Sequence, residues 1–159
     1  MIFVTVGSQM PFDRLIHTVD RWVQKSGRTD VFAQIGPSIS PPLNLRWSNE
    51  LSPAKFRKYI QDADFIVSHA GMGTILTALE LSKPILVMPR RGDLMETRND
   101  HQIATAKRFE EQGRLVAAYD EDSLLMKLND LQQIRPGQKI DPYASPQLIK
   151  RLQSFVDSF

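Results

Sequence analysis

The sequence predicts an α/β fold, a parallel sheet flanked by helices, and three observations carry that expectation. Short apolar runs alternate with helical patterns along the chain, as βαβ units do. The run at 65–68 is apolar almost throughout, which suits a strand covered on both faces. With 159 residues, 42% of them apolar, the chain suffices for one domain with a substantial core.

Residues 2–6 form the first predicted strand. Phe12, Leu15, Ile16, Val19, Trp22 and Val23 follow at helical spacing. A second strand is expected at 31–35. A weaker third is expected at 43–47, after the turn-forming Ser40-Pro41-Pro42. Ser52-Pro53 opens a helix, Ser as N-cap and Pro at the first helical position, with Phe56, Tyr59 and Ile60 facing inward. The fourth strand is 65–68, followed by a glycine loop and a helix that ends before Pro84.

Ile85–Met88 is the fifth strand. A long polar loop then leads to a helix around 99–112, with Gly113 suited to its C-terminal cap. A sixth strand is expected at 115–118, and Asp120 caps a helix bearing Leu124, Leu125, Leu128 and Leu131. The last helix, 146–159, gathers Leu148, Ile149, Leu152, Phe155, Val156 and Phe159 on one face. That face is expected to pack on the same domain, with docking onto another chain as the alternative. No repeat or linker divides the chain, so 1–159 is expected to be one domain with a Rossmann-like sheet.

Composition excludes several classes. There is no cysteine, hence no disulfide framework and no zinc–thiolate site. The N-terminus lacks the pattern of a signal peptide, and no run of about 18 apolar residues could span a bilayer. The formal charge is only +2, and nucleic-acid binding is not expected. Arg90, Arg91 and Arg98 form the one basic cluster, a solvated loop or an anion or partner contact.

Three segments carry candidate chemistry. Gly7-Ser8-Gln9 follows the first strand, where glycine permits a sharp turn and a close backbone approach. Ser68-His69-Ala70-Gly71-Met72-Gly73-Thr74 joins a strand to a helix. Its glycines let amide N–H groups face an anion at the positive end of that helix, and Thr74 adds a hydroxyl. Arg98-Asn99-Asp100-His101-Gln102 opens a later helix with neutral groups suited to sugar or ribose hydroxyls. Helix capping by Asn99 or Asp100 is the competing explanation. All three lie beyond the C-terminal ends of strands, where open parallel sheets bind ligands.

The glycine segment is neither a dinucleotide fingerprint, because its third glycine position is Leu76, nor a P-loop, because no Gly-Lys-Ser/Thr exists. Asp62-Ala63-Asp64 mimics a metal-binding Asp-x-Asp but falls at the start of the fourth strand, on the opposite edge. His17, His69 and His101 are scattered without metal-ligand spacing.

The motifs Val4-Thr5-Val6-Gly7, Pro11-Phe12-Asp13-Arg14-Leu15-Ile16, Ser68 to Thr74, Lys83-Pro84, Val87-Met88-Pro89-Arg90 and Asn99-Asp100-His101-Gln102, in this order, resemble the C-terminal domain of family 28 glycosyltransferases. The nearest type is the short bacterial subunit of capsule and exopolysaccharide synthesis, similar to the soluble subunit of two-part eukaryotic enzymes. The resemblance implies the donor-binding half of a GT-B glycosyltransferase. Such a half binds a UDP-sugar, inverts the anomeric carbon and needs no cofactor or essential metal. The expected location is cytoplasmic, at the inner face of the membrane, through a membrane-associated partner that binds a lipid-linked glycan acceptor.

The resemblance places Gly7 and Ser8 beside the diphosphate, with Gly71, Met72, Gly73 and Thr74 at the phosphates, and His69 is a further donor-binding candidate. It places Asn99 and Gln102 at ribose or donor sugar, and the loop 48–52 near the base. The sequence departs at Thr77, where many relatives carry a ribose-binding Glu, and Glu80 lies nearly one turn further on. Arg90, Arg91 and Arg98 are candidate helpers for leaving-group charge. His69 is the one candidate base in this chain, and the partner is the expected source of the base. A non-catalytic nucleotide-sugar module and a self-sufficient hydrolase are the competing functions.

Overall fold

The computed structural model describes residues 1–141 and 143–158. Among these, six parallel strands form one sheet in the order β3-β2-β1-β4-β5-β6. The strands are β1 Ile2–Thr5, β2 Val31–Gln34, β3 Arg46–Ser48, β4 Phe65–His69, β5 Ile85–Met88 and β6 Val116–Ala117. The helices are α1 Asp13–Ser26, α2 Pro53–Asp62, α3 Met72–Glu80, α4 His101–Glu111, α5 Glu121–Asn129 and α6 Pro146–Val156. In the register, Val4 lies between Ala33 of β2 and Val67 of β4. The chain steps outward from β1 to β3, then returns across β1 to β4 and steps the other way. The strand order therefore reverses between β1 and β4, and a crevice opens there beyond the strand ends.

The pleat divides the core into two layers, because neighbouring strand residues point to opposite faces. Val4, Val67 and Leu86 pack with Leu15, Ile16 and Val19 of α1 and Leu124 and Leu128 of α5. Phe3, Ile66 and Val87 pack on the other face with Ile60 of α2, Ile75 and Leu79 of α3 and Ala106 of α4. Phe32 and Tyr59 stack at 4.4 Å between ring centroids, with Phe3 stacked 5.3 Å from Tyr59. Truncating a fully buried Leu such as Leu15 to Ala would cost about 2–5 kcal/mol.

Helix ends follow the capping chemistry. The Ser52 hydroxyl accepts from the Lys55 amide, and Asp120 and Ser123 cap each other reciprocally. Gly27 closes α1 in the left-handed conformation (φ 66°).

Two expectations need correction. The third strand begins at Arg46 rather than 43, because the buried Asp20 carboxylate accepts from the amides of Leu43 and Asn44 at 3.2 and 2.7 Å. That ties the segment to α1 before it can join the sheet, and Leu43 is left exposed. The C-terminal helix does not pack on the domain as expected. No described residue of α6 is buried, and Leu152 is 55% exposed. The core layers on both sheet faces are built by α1 to α5 without any residue of α6. Phe159, assigned to that face from the sequence, lies outside the described residues.

Candidate functional site

A cleft of about 930 Å³ opens at the reversal of strand order. The loops after β1, β4 and β5 and the start of α4 bound it, together with the segment from Glu50 to Arg57. Eight of the ten residues expected to bind a donor line it: Gly7, Ser8, His69, Gly71, Gly73, Thr74, Thr77 and Gln102. Met72 and Asn99 do not line it. Met72 faces solvent on α3, and the Asn99 side-chain oxygen instead accepts from the His101 amide at 3.2 Å, the capping role weighed against a ligand role.

The α3 end of the cleft is built from absences. Gly71 at the N-cap has no side chain to satisfy the first helical amides, so those of Met72, Gly73 and Thr74 have no acceptor within the helix. The helix dipole adds partial positive charge at the same point. A Cβ added to Gly73 would meet nothing within 4 Å, so packing does not require glycine there. A side chain at 73 would fill cleft space instead. Gly71 does need to be glycine, since its Cβ would lie 2.2 Å from Nε2 of His69.

His69 sits between the two glycine loops, its ring also against Gly7, which adopts φ 76°. Burial, then the nearby charge of Arg90, pushes its pKa down to about 4, against a weak opposing pull from the Thr5 backbone. The ring is therefore neutral at pH 7, and its buried Nδ1 has no partner among the described residues. A buried nitrogen left unpaired costs about 1–3 kcal/mol, a debt that a ligand or water could relieve.

A network that sequence reasoning missed forms the cleft floor. Gln34, 4% exposed, ends β2 and donates from Nε2 to the carbonyls of Gly7 and Asn49, each at 2.9 Å. The Thr5 hydroxyl donates to its Oε1 at 2.6 Å and accepts from the Gly7 amide. Asn49 Nδ2 donates to the Gly36 carbonyl. The Gln34 side chain thus joins the loops after β1 and β3, and Asn49 ties in the loop after β2. The available signal was a lone polar residue ending an apolar strand.

The three arginines of the basic cluster, candidate helpers for leaving-group charge, are placed differently from one another. Arg90 lines the cleft but is 4% exposed, its guanidinium donating to backbone carbonyls. Arg91 is paired with Asp93, and Arg98 does not line the cleft. At the far end, Arg57 lines the cleft and is tied to Glu80 at 2.8 Å, while the Thr77 hydroxyl donates back to the Gly73 carbonyl. Glu80 does not itself reach the cleft.

Among the described residues no group of three or more His, Cys, Asp or Glu could hold a metal ion. No described helix is long and apolar enough to cross a membrane.

Comparison with known proteins agrees with this geometry. The profile of the glycosyltransferase family 28 C-terminal domain matches residues 1–143. The human UDP-N-acetylglucosamine transferase subunit ALG13 is 32% identical over 126 residues, 72% of this chain and 10% of that protein. The chain thus spans about a tenth of that curated relative. The solution structure of ALG13 superposes with a TM-score of 0.61 at 20% identity, covering 96% of this chain and 94% of that one. UDP-GlcNAc 2-epimerase from Neisseria meningitidis, bound to UDP-GlcNAc, gives 0.64 at 12% identity, covering 99% of this chain and 44% of that one. At such identities the structural likeness establishes the fold, one half of the GT-B architecture.

Proposed function

This chain belongs to the glycosyltransferase family 28 C-terminal domain family, and on that premise we propose that it is the donor-binding subunit of a UDP-sugar-dependent, inverting hexosyltransferase. One observation carries the proposal. The uncapped start of α3, the Gly7 loop and Gln102 converge on one cleft at the strand-order reversal, and the α3 amides there have no helical partner.

Sugar transfer leaves UDP with added negative charge, and preorganised donors that meet this charge lower the barrier. The amides of Met72, Gly73 and Thr74 and the Thr74 hydroxyl supply them. The acceptor hydroxyl must also lose a proton. His69, with its pKa near 4, is a poor base at neutral pH. The base therefore belongs to a membrane-associated, acceptor-binding partner that presents a lipid-linked glycan in exopolysaccharide or capsule synthesis. The human relative is itself named a transferase subunit, in keeping with this division. The partner recruits the chain from the cytoplasm to the inner face of the membrane. No resident metal is part of the proposal.

A second reading, a nucleotide-sugar-binding module without turnover, rests on the far end of the cleft. There the Glu80 carboxylate is committed to Arg57 and the Thr77 hydroxyl proton to the Gly73 carbonyl, so no carboxylate of α3 is free for ribose. Two measurements decide. Millimolar UDP should raise the melting temperature by mass action, by about 2.7 kcal/mol of stabilisation at a hundred times Kd. Absence of any shift contradicts both readings. Transfer from UDP-sugar in a mixture with the acceptor subunit supports the transferase, whereas binding without transfer in that mixture supports the module.

A further inference from the structure

Arg90 is a buried cation with no carboxylate in direct contact among the described residues. Its Nη2 donates to the carbonyls of Val6 and Met10 at 2.8 and 2.7 Å, and its Nη1 to those of Pro11 and Glu96 at 2.5 and 3.2 Å. Its Cζ lies 4.7 Å from the centre of the Phe12 ring. The nearest carboxylate, Glu96, is committed elsewhere. It accepts from Arg14 Nε at 2.6 Å and Nη2 at 2.8 Å, and from the Arg91 amide at 2.9 Å. Burial lowers the Arg90 pKa to about 10, which still leaves the group charged at neutral pH.

The geometry has two consequences. Val6, Met10 and Pro11 flank the loop that carries Gly7, Ser8 and Gln9, so the guanidinium pins both ends of that loop. The exposed middle, Ser8 and Gln9, is left facing the cleft. The Arg90 amide also donates to Gln102 Oε1 at 3.1 Å, which fixes the side chain entering from α4. A single residue therefore joins three walls of the cleft. Its charge is buried, and a buried charge is poorly screened and acts over longer range than a surface one. His69, between the glycine loops, has its pKa lowered first by burial and then by the Arg90 charge.

We propose that Arg90 is the positioning residue of the donor site: it holds the Gly7–Pro11 loop and Gln102 in place and supplies a fixed, desolvated positive charge that favours a diphosphate over an uncharged nucleoside. This rests on the donor-site reading above. Arg90 reaches the ligand through the backbone it anchors and through its field, not by direct contact. A guanidinium fork suits four carbonyls in a way that a lysine ammonium does not.

Calorimetric titration of the full chain with UDP, UMP and uridine tests this, on wild type, Arg90→Lys and Arg90→Gln, well below each melting temperature. Arg90→Lys keeps the charge and loses the fork, and should weaken UDP about tenfold. Arg90→Gln should weaken UDP more and shrink the UDP-to-uridine affinity ratio by at least about tenfold, with uridine itself changed by less than about threefold. A merely structural role would lower the melting temperature and leave that ratio intact. A folded Arg90→Gln that keeps the wild-type ratio overturns the proposal. If neither variant folds, amide NMR of wild type decides. Ser8 and Gln9 should shift with UDP and not with uridine, and identical responses overturn the proposal. A wild type that binds no UDP overturns the donor-site reading itself, and this proposal with it.

Discussion

The two edges of the sheet carry similar polar inventories and treat them in opposite ways. At the N-terminal edge the charges answer one another. The Met1 amine lies 2.5 Å from Asp64 and 3.6 Å from Asp30, Arg28 pairs with Asp30 at 2.8 Å, and Lys83 donates to the Ala63 carbonyl. At the C-terminal edge, among the described residues, the helix amides of Met72 to Thr74 have no helical acceptor, the His69 Nδ1 has no hydrogen-bond partner, and the Arg90 guanidinium donates only to carbonyls. A hollow exists at each edge. What separates site from scaffold is therefore which edge leaves its donors unpaired, not which edge holds charge. The Asp62-Ala63-Asp64 pattern falls at the satisfied edge, where Asp62 pairs with Lys58 and Asp64 with the N-terminus.

The contrast breaks most completely at Gly73. Gly73→Asp has room for its side chain in the fold but puts a carboxylate among the unpaired amides at the start of α3. UDP affinity should fall by at least about a hundredfold, with the melting temperature of the free chain nearly unchanged, as calorimetry and thermal melts would show. Next comes Gln34→Leu. It leaves the Gly7 and Asn49 carbonyls without their donor and should cost about 2 kcal/mol of stability in urea melts, with a clear loss of UDP affinity.

A subtler effect is pH dependence. Folding depresses the His69 pKa from 6.5 to about 4, so the native state binds fewer protons there than the unfolded chain. The contribution is complete above pH 6.5 and is lost as pH falls toward 4. The slope should approach about 1.4 kcal/mol per pH unit at most. His69→Phe, which keeps a ring between the glycines, should flatten that slope in urea melts. Smallest is Asp64→Asn at the opposite edge. It removes a largely exposed ion pair, should change stability by less than about 1 kcal/mol, and should leave UDP binding untouched.

Much of this contrast was legible in the sequence. Apolar runs placed the strands because burial on both faces demands them, and the glycine segment announced its loop because Gly71 and Gly73 have no side chains to interrupt it. The Asp-x-Asp was correctly assigned to the wrong edge for a site. Tertiary bonds were not legible. Gln34 gave only a polar residue in an apolar strand, and its partners lie 15 and 27 positions away. Arg90 looked like one of three surface arginines, because its carbonyl partners at 6, 10 and 11 are set by folding rather than by spacing. Asn99 stood open between a ligand contact and helix capping, and only the fold shows its side-chain oxygen accepting from the His101 amide. The apolar stripe of α6 was read correctly as a stripe, but a periodicity cannot say whether any surface remains for it to cover.

A crystal structure of the chain soaked with UDP examines the pyrophosphate cradle itself. The account predicts phosphate oxygens about 3 Å from the amides of Gly73 and Thr74, with the Ser8–Gln9 loop on the other side. A diphosphate seated at the N-terminal edge, or one that leaves the start of α3 empty, would contradict it.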